Sequence, residues 1–281
     1  MNQPAGDARP LAETIADLLA RGAVACLATL VQPPDGQTDA GAKLLVETSG
    51  GRAGTLGDGA FDELAAARAQ AFLASRAEAA TFNAGEFAPQ MERWRGARVL
   101  FERVELEQHV VVCGAGHVGA ALARLARLVG YRVTVIDDRA DFVSRERFTD
   151  EEIELIAATG GWAAAVREAV STGRGVAVAV VTRGHNEDEE CLRAVLEARP
   201  DYVGMIGSRR RTNIVLGRLR ESGFTDEVLR EVRAPVGLDI GAVLPEEVAL
   251  SILAEIVAER RGGNCAPLSA WRREEAVTGK P

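Results

Sequence analysis

The sequence lacks long apolar runs and any excess of basic residues. None of its segments approaches the roughly 18 consecutive apolar residues of a membrane span, so the sequence predicts no transmembrane helix. The formal net charge of the 281 residues is −8, whereas binding to nucleic-acid phosphates requires a basic surface. Neither a membrane nor a nucleic acid is therefore expected as a partner.

Cysteine and aromatic residues are also scarce. The four cysteines form no C-x-x-C pair and have no histidine at ligand spacing, so we expect reduced thiols and no metal site. Residues 1–22 contain acids and no apolar core of a secretory signal, which favours a cytoplasmic location. Aromatic residues make up 5 % of a chain that has 29 glycines, a composition that suits an α/β fold with tight turns.

The pattern of apolar residues changes near residue 108. Residues 1–107 read as helix, strands, helix and strands, which predicts a small α+β domain. From 108 to 262, β-branched runs such as "HVVVC", "YRVTVID" and "GVAVAVV" alternate with helical segments. This alternation predicts a Rossmann-like domain with a parallel sheet covered on both faces. Residues 263–281 are polar and are expected to form a flexible tail.

The segment "HVVVCGAGHVGAALARL" places Gly114, Gly116 and Gly119 in a G-x-G-x-x-G pattern between an expected strand and an expected helix. Such glycines allow a tight turn, close approach to a pyrophosphate, and packing of helix on strand. The helix N-terminus then offers unpaired N–H groups to the anion. The pattern predicts a dinucleotide or other phosphate-bearing ligand, and the alternative is a related fold with a vestigial site.

The second expected strand of this domain ends at Asp137, where a carboxylate would accept hydrogen bonds from ribose hydroxyls. Such a residue favours NAD over NADP, although the neighbouring Arg139 weakens the preference. His117 lies inside the glycine pattern and is interpreted equally well as a surface residue or as a ligand contact.

Further polar residues follow two later strands, and ligands of open α/β sheets bind beyond the carboxyl ends of strands. Arg183 and Arg209 at these strand ends could pair with phosphate or carboxylate groups. The hydroxyl of Ser208 is best interpreted as a helix N-cap. Arg210 and Arg211 are interpreted equally well as part of a solvated helix face or as part of the site. The candidate binding residues at these strand ends are Thr182, Arg183, His185, Ser208 and Arg209.

At this point the sequence resembles the XdhC/CoxI family of molybdenum-enzyme maturation proteins. The resemblance rests on "VCGAGHVGAALARLARLVGYRVTVIDDRADF", "VVTRGH", "DYVGMIGSRRR" and "APVGLDIGAVLPEEVALSILAEIVAERRGG", which occur in the order of the family. It implies a Rossmann domain after a smaller N-terminal domain. It also implies a chaperone that supplies molybdenum cofactor to a hydroxylase of the xanthine dehydrogenase or carbon monoxide dehydrogenase type.

The N-terminal half departs from the family pattern in two loops. The family reads G-S-[ST]-P-R before a G-A-[KR] element; Gly41, Ala42 and Lys43 match the second element, but the Ser-Pro-Arg portion is absent. In the next loop the family reads G-G-G-C, whereas this chain has Asp58 in place of a glycine and Ala60 in place of the cysteine. The resemblance therefore implies a divergent N-terminal domain.

Three hypotheses remain open from the sequence. The first is an accessory protein that binds molybdenum cofactor or a nucleotide, has no catalytic residue of its own, and assists maturation of a molybdenum hydroxylase. Its expected partners are the hydroxylase apoenzyme and a cysteine desulfurase, and a homodimer through edge strands of the N-terminal domain is one arrangement. The second is an NAD-dependent oxidoreductase with His185 as general acid–base. The third is a regulatory nucleotide sensor.

Overall fold

The computed structural model describes residues 10–34, 40–75 and 77–269. The chain divides into two compact units, Met1–Leu106 and Glu107–Pro281. Of the expected flexible tail, residues 263–269 contain no helix or strand, and residues 270–281 lie outside the described part, as do residues 35–39 of the first N-terminal loop.

The N-terminal unit contains one antiparallel sheet with strand order β3-β2-β1-β5-β4. Its largest fully buried side chains, among them Phe61, Trp94 and Phe101, pack between this sheet and α2. In chain order its elements are α1 (Leu11–Ala20), β1 (Ala25–Gln32), β2 (Lys43–Glu47), β3 (Arg52–Thr55), α2 (Gly59–Ala74), β4 (Ala79–Asn83), α3 (Ala84–Phe87) and β5 (Arg98–Val104).

One strand of this unit is shorter than its sequence predicts. The segment "ATFNAGEF" reads as a single strand, but β4 ends at Asn83 and a helical turn follows. The Asn83 amide donates to the carboxylate of Glu86 at 2.9 Å, which is the backward bond of a helix start. This bond makes helix more favourable than a further sheet pair for residues 84–87.

The C-terminal unit contains a five-stranded parallel sheet with the order β10-β9-β6-β7-β8, which confirms the predicted α/β, Rossmann-like fold preceded by a smaller α+β domain. In chain order its elements are β6 (His109–Cys113), α4 (His117–Leu128), β7 (Arg132–Asp137), β8 (Ile153–Ala157), α5 (Trp162–Val170), β9 (Val176–Val180), α6 (His185–Ala198), β10 (Tyr202–Met205), α7 (Arg209–Glu221), α8 (Asp226–Glu231) and α9 (Pro245–Arg261).

Helices cover both faces of the parallel sheet. Val111 and Cys113 of β6 pack with α5, α6 and α7 on one face, whereas Val110 and Val112 pack with α4 and α9 on the other. Because alternate residues point to opposite faces, a strand buried on both sides needs the continuous apolar run that the sequence shows. No helix of the described residues is long and apolar enough to span a bilayer.

A histidine is buried at the start of the central strand. The Nε2 atom of His109 lies 2.8 Å from the hydroxyl oxygen of Thr134, and that hydroxyl donates to Glu154 at 2.8 Å. Burial of the ring lowers the pKa of His109 from 6.5 to about 4. The folded chain therefore keeps this ring neutral in a pH range where the unfolded chain protonates it.

We expect the free energy of unfolding to fall as the pH is lowered from about 6.5 to about 4, by up to about 3 kcal/mol from this residue. The unfolded state takes up the proton near pH 6.5, and the folded state resists it until near pH 4. Urea titrations at several pH values measure the effect. His109→Gln should lose this pH dependence, whereas His117→Gln at an exposed position should retain it; equal slopes in the two variants would contradict the assignment.

Candidate functional site

The candidate site lies at the carboxyl edge of the parallel sheet. The chain leaves β6 toward β7 on one side, while β9 and β10 lie on the other side of β6, so the strand order reverses between β6 and β9. Ligands of open α/β sheets bind at such a reversal. The loop between β6 and α4, residues 114–116, lies at this point and is called the glycine loop below.

Two glycines are required by close packing around this loop. Gly114 has φ +118°, and a Cβ atom there would lie 2.5 Å from the carbonyl oxygen of Val181. A Cβ atom on Gly119 would collide with the carbonyl oxygen of Gly114. The first turn of α4 therefore packs directly on the backbone that follows β6, as the spacing of the glycines predicts.

Gly116 differs from these two because it faces open space. A Cβ atom there would have no atom within 4 Å. Gly116 directly precedes α4, and within the described residues no side chain caps the amides of the first turn, which also contains no acidic residue. Uncapped amides and the positive end of the helix dipole next to free space suit a phosphate group.

The carboxylate of Asp137 already accepts hydrogen bonds from other groups of the protein. The residue is 1 % exposed, and its carboxylate accepts four hydrogen bonds: from the Ala115 amide at 2.7 Å and from the backbone, Nε and Nη2 of Arg139 at 3.0, 2.8 and 2.9 Å. Burial alone would raise the pKa of Asp137, but these hydrogen bonds outweigh it and the pKa lies below its usual value. In this arrangement no acceptor site remains for the ribose hydroxyls that the sequence predicts.

Arg183 forms an ion pair across the sheet edge. Its Nη1 and Nη2 atoms donate to the two carboxylate oxygens of Asp138 at 2.8 and 2.9 Å. Glu187 lies 3.3 Å from the same guanidinium group. Since Arg183 follows β9 and Asp138 follows β7, the pair joins segments on the two sides of β6.

Thr182 belongs to a buried polar cluster that the sequence does not reveal. Its hydroxyl donates to Asp188, a fully buried residue of α6. Arg211 of α7 donates through Nε to Asp188 at 2.6 Å and through Nη2 to the backbone oxygen of Thr182 at 3.3 Å. The cluster fixes α6 and α7 at the ends of β9 and β10, so Arg211 is not part of a solvated helix face.

The other predicted residues are the first residues or caps of helices. The Ser208 hydroxyl accepts from the Arg211 amide at 3.2 Å and caps α7, as its N-cap interpretation predicts. Arg209 begins α7 and is exposed, and His117 begins α4 and is exposed. His185 begins α6, and its side chain lies outside the described part of the structure. The sheet edge thus brings the segments of all these residues to one side of the domain.

The corresponding helix start in the N-terminal unit is closed by its own side chain. Asp58 accepts from the amides of Ala60 and Phe61 at 2.8 and 3.2 Å and pairs with Arg93 at 2.8 Å. The hydrogen bond from Phe61, followed by that from Ala60, lowers the pKa of Asp58 despite its burial penalty. The residue that departs from the family pattern therefore supplies the negative charge at this helix N-terminus.

A parallel sheet with an open glycine loop, preceded by a separate antiparallel-sheet unit, defines a two-domain protein with a Rossmann-type binding domain. The family described as "XdhC Rossmann domain" matches residues 110–256, and the "XdhC and CoxI family" matches residues 18–83. The chain belongs to the XdhC/CoxI family, which confirms the resemblance found in the sequence.

Several curated relatives match parts of the chain, among them three bacterial proteins. Uncharacterized protein YqeB of Escherichia coli is 35 % identical over 163 residues, 58 % of this chain and 29 % of that protein. A probable xanthine dehydrogenase component of Bacillus subtilis is 29 % identical over 164 residues, 58 % of this chain and 46 % of that protein. Molybdenum cofactor insertion chaperone PaoD of Escherichia coli is 35 % identical over 97 residues, 34 % of this chain and 30 % of that protein. The matches span less than half the length of each relative.

Two glycine substitutions separate the packing role of the glycine loop from its open space. Gly119→Ala should lower the free energy of unfolding by about 2 kcal/mol or more, because the added methyl group collides with backbone. Gly116→Ala should lower it by less than about 1 kcal/mol, since its methyl group meets no atom. Chemical denaturation measures both, and equal losses would contradict the geometry.

Asp188→Ala should lower the free energy of unfolding by about 3 kcal/mol, because it leaves the guanidinium of Arg211 and the hydroxyl of Thr182 without their acceptor. Glu189→Ala is the matched control on the same helix, where the ion pair with Arg218 at 3.3 Å is partly exposed and a loss below about 1 kcal/mol is expected. Urea denaturation of both variants measures the difference. Similar losses would mean that the buried cluster does not stabilise the fold.

Proposed function

We propose that the chain binds molybdenum cofactor or a nucleotide at the glycine loop and assists maturation of a molybdenum hydroxylase of the xanthine dehydrogenase or carbon monoxide dehydrogenase type. In this proposal the chain acts in the cytoplasm as a cofactor-insertion chaperone. Its partners are the hydroxylase apoenzyme and a cysteine desulfurase. The observation that carries the proposal is the open space at Gly116 beside the uncapped first turn of α4.

The residues of the glycine loop fit the phosphate end of either ligand. The amides of the first turn of α4 would donate to phosphate oxygens, and the absence of a side chain at Gly116 leaves room for them. Arg183 and Arg209 would add positive charge from the end of β9 and the start of α7. The similarity to a relative named as a molybdenum cofactor insertion chaperone favours molybdenum cofactor over a nucleotide as the ligand.

The alternative of an NAD-dependent oxidoreductase has less support. Its ribose contact would need Asp137, whose carboxylate is already filled by four donors. A titration of NADH followed by fluorescence, together with assays of carbonyl reduction, tests this alternative. Turnover of such a substrate would favour it over the chaperone.

Native mass spectrometry of the purified full chain tests the proposed ligand directly. We expect a phosphate-bearing small molecule to co-purify with the chain and to be lost from Gly116→Val, because the valine side chain fills the phosphate position. Gly85→Val provides a matched control, since a Cβ atom at Gly85 in the N-terminal unit also meets no atom. Retention of the molecule by Gly116→Val would place it elsewhere on the chain.

Activation of a hydroxylase apoenzyme from the same organism tests the proposed role in maturation. The wild-type chain carrying its co-purified ligand should raise hydroxylase activity, and Gly116→Val should fail to do so. Hydroxylase that reaches full activity without the chain would contradict this role. The same preparations show by light scattering whether the chain is a homodimer, and by co-purification whether it binds a cysteine desulfurase.

A further inference from the structure

Helix α9 carries more apolar surface than its packing on the sheet requires. One side of the helix is buried against the parallel sheet and consists of Ala249, Ile252, Leu253 and Ile256. A second side presents Leu250 and Val257 to solvent, and helical spacing places Ala254 between them. Surface helices normally turn polar residues toward water, so a second apolar side indicates a further contact.

The neighbouring helix α4 continues this apolar surface. Leu128 near the end of α4 is 82 % exposed, and it borders the same groove as Leu250 of α9. The groove between the two helices has a volume of about 400 Å³. The apolar residues of the two helices on this side are called the α4–α9 face below, and they are Ala121, Leu125, Leu128, Leu250, Ala254 and Val257.

Exposed apolar side chains are concentrated in and around these two helices. In the part of the chain that the structure describes, large exposed apolar residues at the end of α4, in α9 or in the segment before α9 are Leu128, Val129, Ile240, Val243, Leu244, Leu250 and Val257. Single apolar residues on a surface are ordinary, whereas a cluster of them marks a site of interaction. The α4–α9 face is therefore a candidate docking surface.

The rim of the groove carries one free charge of each sign. Arg124 of α4 and Glu246 of α9 both border the groove and are exposed, and no ion pair among the described residues includes either of them. Glu247, a second acid at the groove, already accepts the amides of Val243 and Leu244 at 2.8 and 2.9 Å. The face thus fits a partner that presents an apolar ridge flanked by an acid and a base in the reverse order.

A second copy of this chain has that pattern of charge. When a surface lies on itself around a two-fold axis, each contact between two different residues occurs twice. An axis through the groove turns α4 of one copy toward α9 of the other, so Arg124 of each copy faces Glu246 of its neighbour. Leu128 and Leu250 of both copies then form the centre, which gives an apolar core inside a charged rim.

The edge strands of the N-terminal unit are less suited to joining two copies. Strand β3 has four residues, one of which is Gly54 with φ +85°, and strand β4 has five residues. Short edge strands discourage pairing with a further strand. The α4–α9 face is therefore the better-supported contact for a homodimer.

We propose that two copies of the chain associate through the α4–α9 face around a two-fold axis. Leu128 and Leu250 lie at the centre of this contact, and Arg124 pairs with Glu246 across its rim. The inference goes beyond the proposed function, because the contact requires no ligand at the glycine loop.

Analytical ultracentrifugation of the full chain over a range of concentrations tests the contact. The wild-type chain should reach twice the 29.8 kDa mass of one copy. Leu250→Asp should raise the dissociation constant of the dimer about 100-fold or more, because each copy would then bury a carboxylate in the apolar groove. Leu268→Asp is the matched control at an exposed leucine outside the face, and it should leave the dissociation constant unchanged.

Charge reversal at the rim identifies the partner as a second copy. Arg124→Glu and Glu246→Arg should each raise the dissociation constant about tenfold, because each puts like charges together twice. The double variant restores opposite charges on both sides of the axis and should bind within about threefold of the wild type. A partner of different sequence would not regain its contact when both charges on this chain are reversed.

Three results would overturn the inference. The first is a wild-type chain that stays monomeric at every concentration, and the second is a dimer that Leu250→Asp leaves intact. The third is a monomeric chain whose activation of a hydroxylase is abolished by Leu250→Asp, since the face would then bind the hydroxylase. A Gly116→Val chain that loses its ligand but still forms the dimer would support the inference, so the two proposals fail separately.

Discussion

The carboxylate of Asp137 is the point on which the candidate site depends. It accepts the Ala115 amide on one side and three donors of Arg139 on the other, so the glycine loop and the segment after β7 are fixed relative to one another. A buried carboxylate is stable only when donors replace the water that it loses. Here those donors are the Ala115 amide of the glycine loop and the backbone amide and guanidinium of Arg139. The residue that looks like a ligand contact in the sequence therefore acts by organising its neighbours.

The N-termini of α2 and α4 show how a single residue decides whether a helix N-terminus can accept an anion. At the start of α2, Asp58 occupies the amides of the first turn and neutralises the helix dipole. At the start of α4, Gly116 provides neither a cap nor a charge, and a Cβ atom at Gly116 would meet open space. The backbone amides at both helix N-termini need hydrogen-bond acceptors, and at α2 the Asp58 side chain supplies one. This difference supports the proposal that a phosphate would bind at the C-terminal unit, although both units carry glycine-rich turns.

The fold follows from local sequence patterns, whereas the polar contacts of the site depend on distant pairs. Continuous apolar runs and glycine spacing predict the parallel sheet and the glycine loop because both effects act over a few residues. Arg183 and Asp138 are 45 positions apart, and Arg211 and Asp188 are 23 positions apart. No local pattern marks Asp188 among the neighbouring acids of α6, and only the packing of α6 on α7 shows which of them is buried. The exact partner of Asp137 is hidden in the same way, because an acid followed two residues later by arginine can face either a ligand or its neighbour.

Charge near the glycine loop acts over short distances only. The net charge of −8 would repel an anionic ligand if it acted as a whole, but at physiological ionic strength charges beyond about 8 Å are largely screened. The acids at this edge of the sheet are already engaged: Asp137 by Arg139, Asp138 by Arg183, and Asp188 by Arg211. The pair of Arg183 is partly exposed and of the kind that contributes only about 0–1 kcal/mol, so a phosphate at the proposed site would compete with Asp138 at small cost. The pair of Arg211 is buried and cannot exchange, because its loss would leave the Asp188 charge without a partner. At the proposed site, the strength of anion binding would therefore depend on which arginines can release their partners, and the strand-end arginines differ in this respect although they look alike in the sequence.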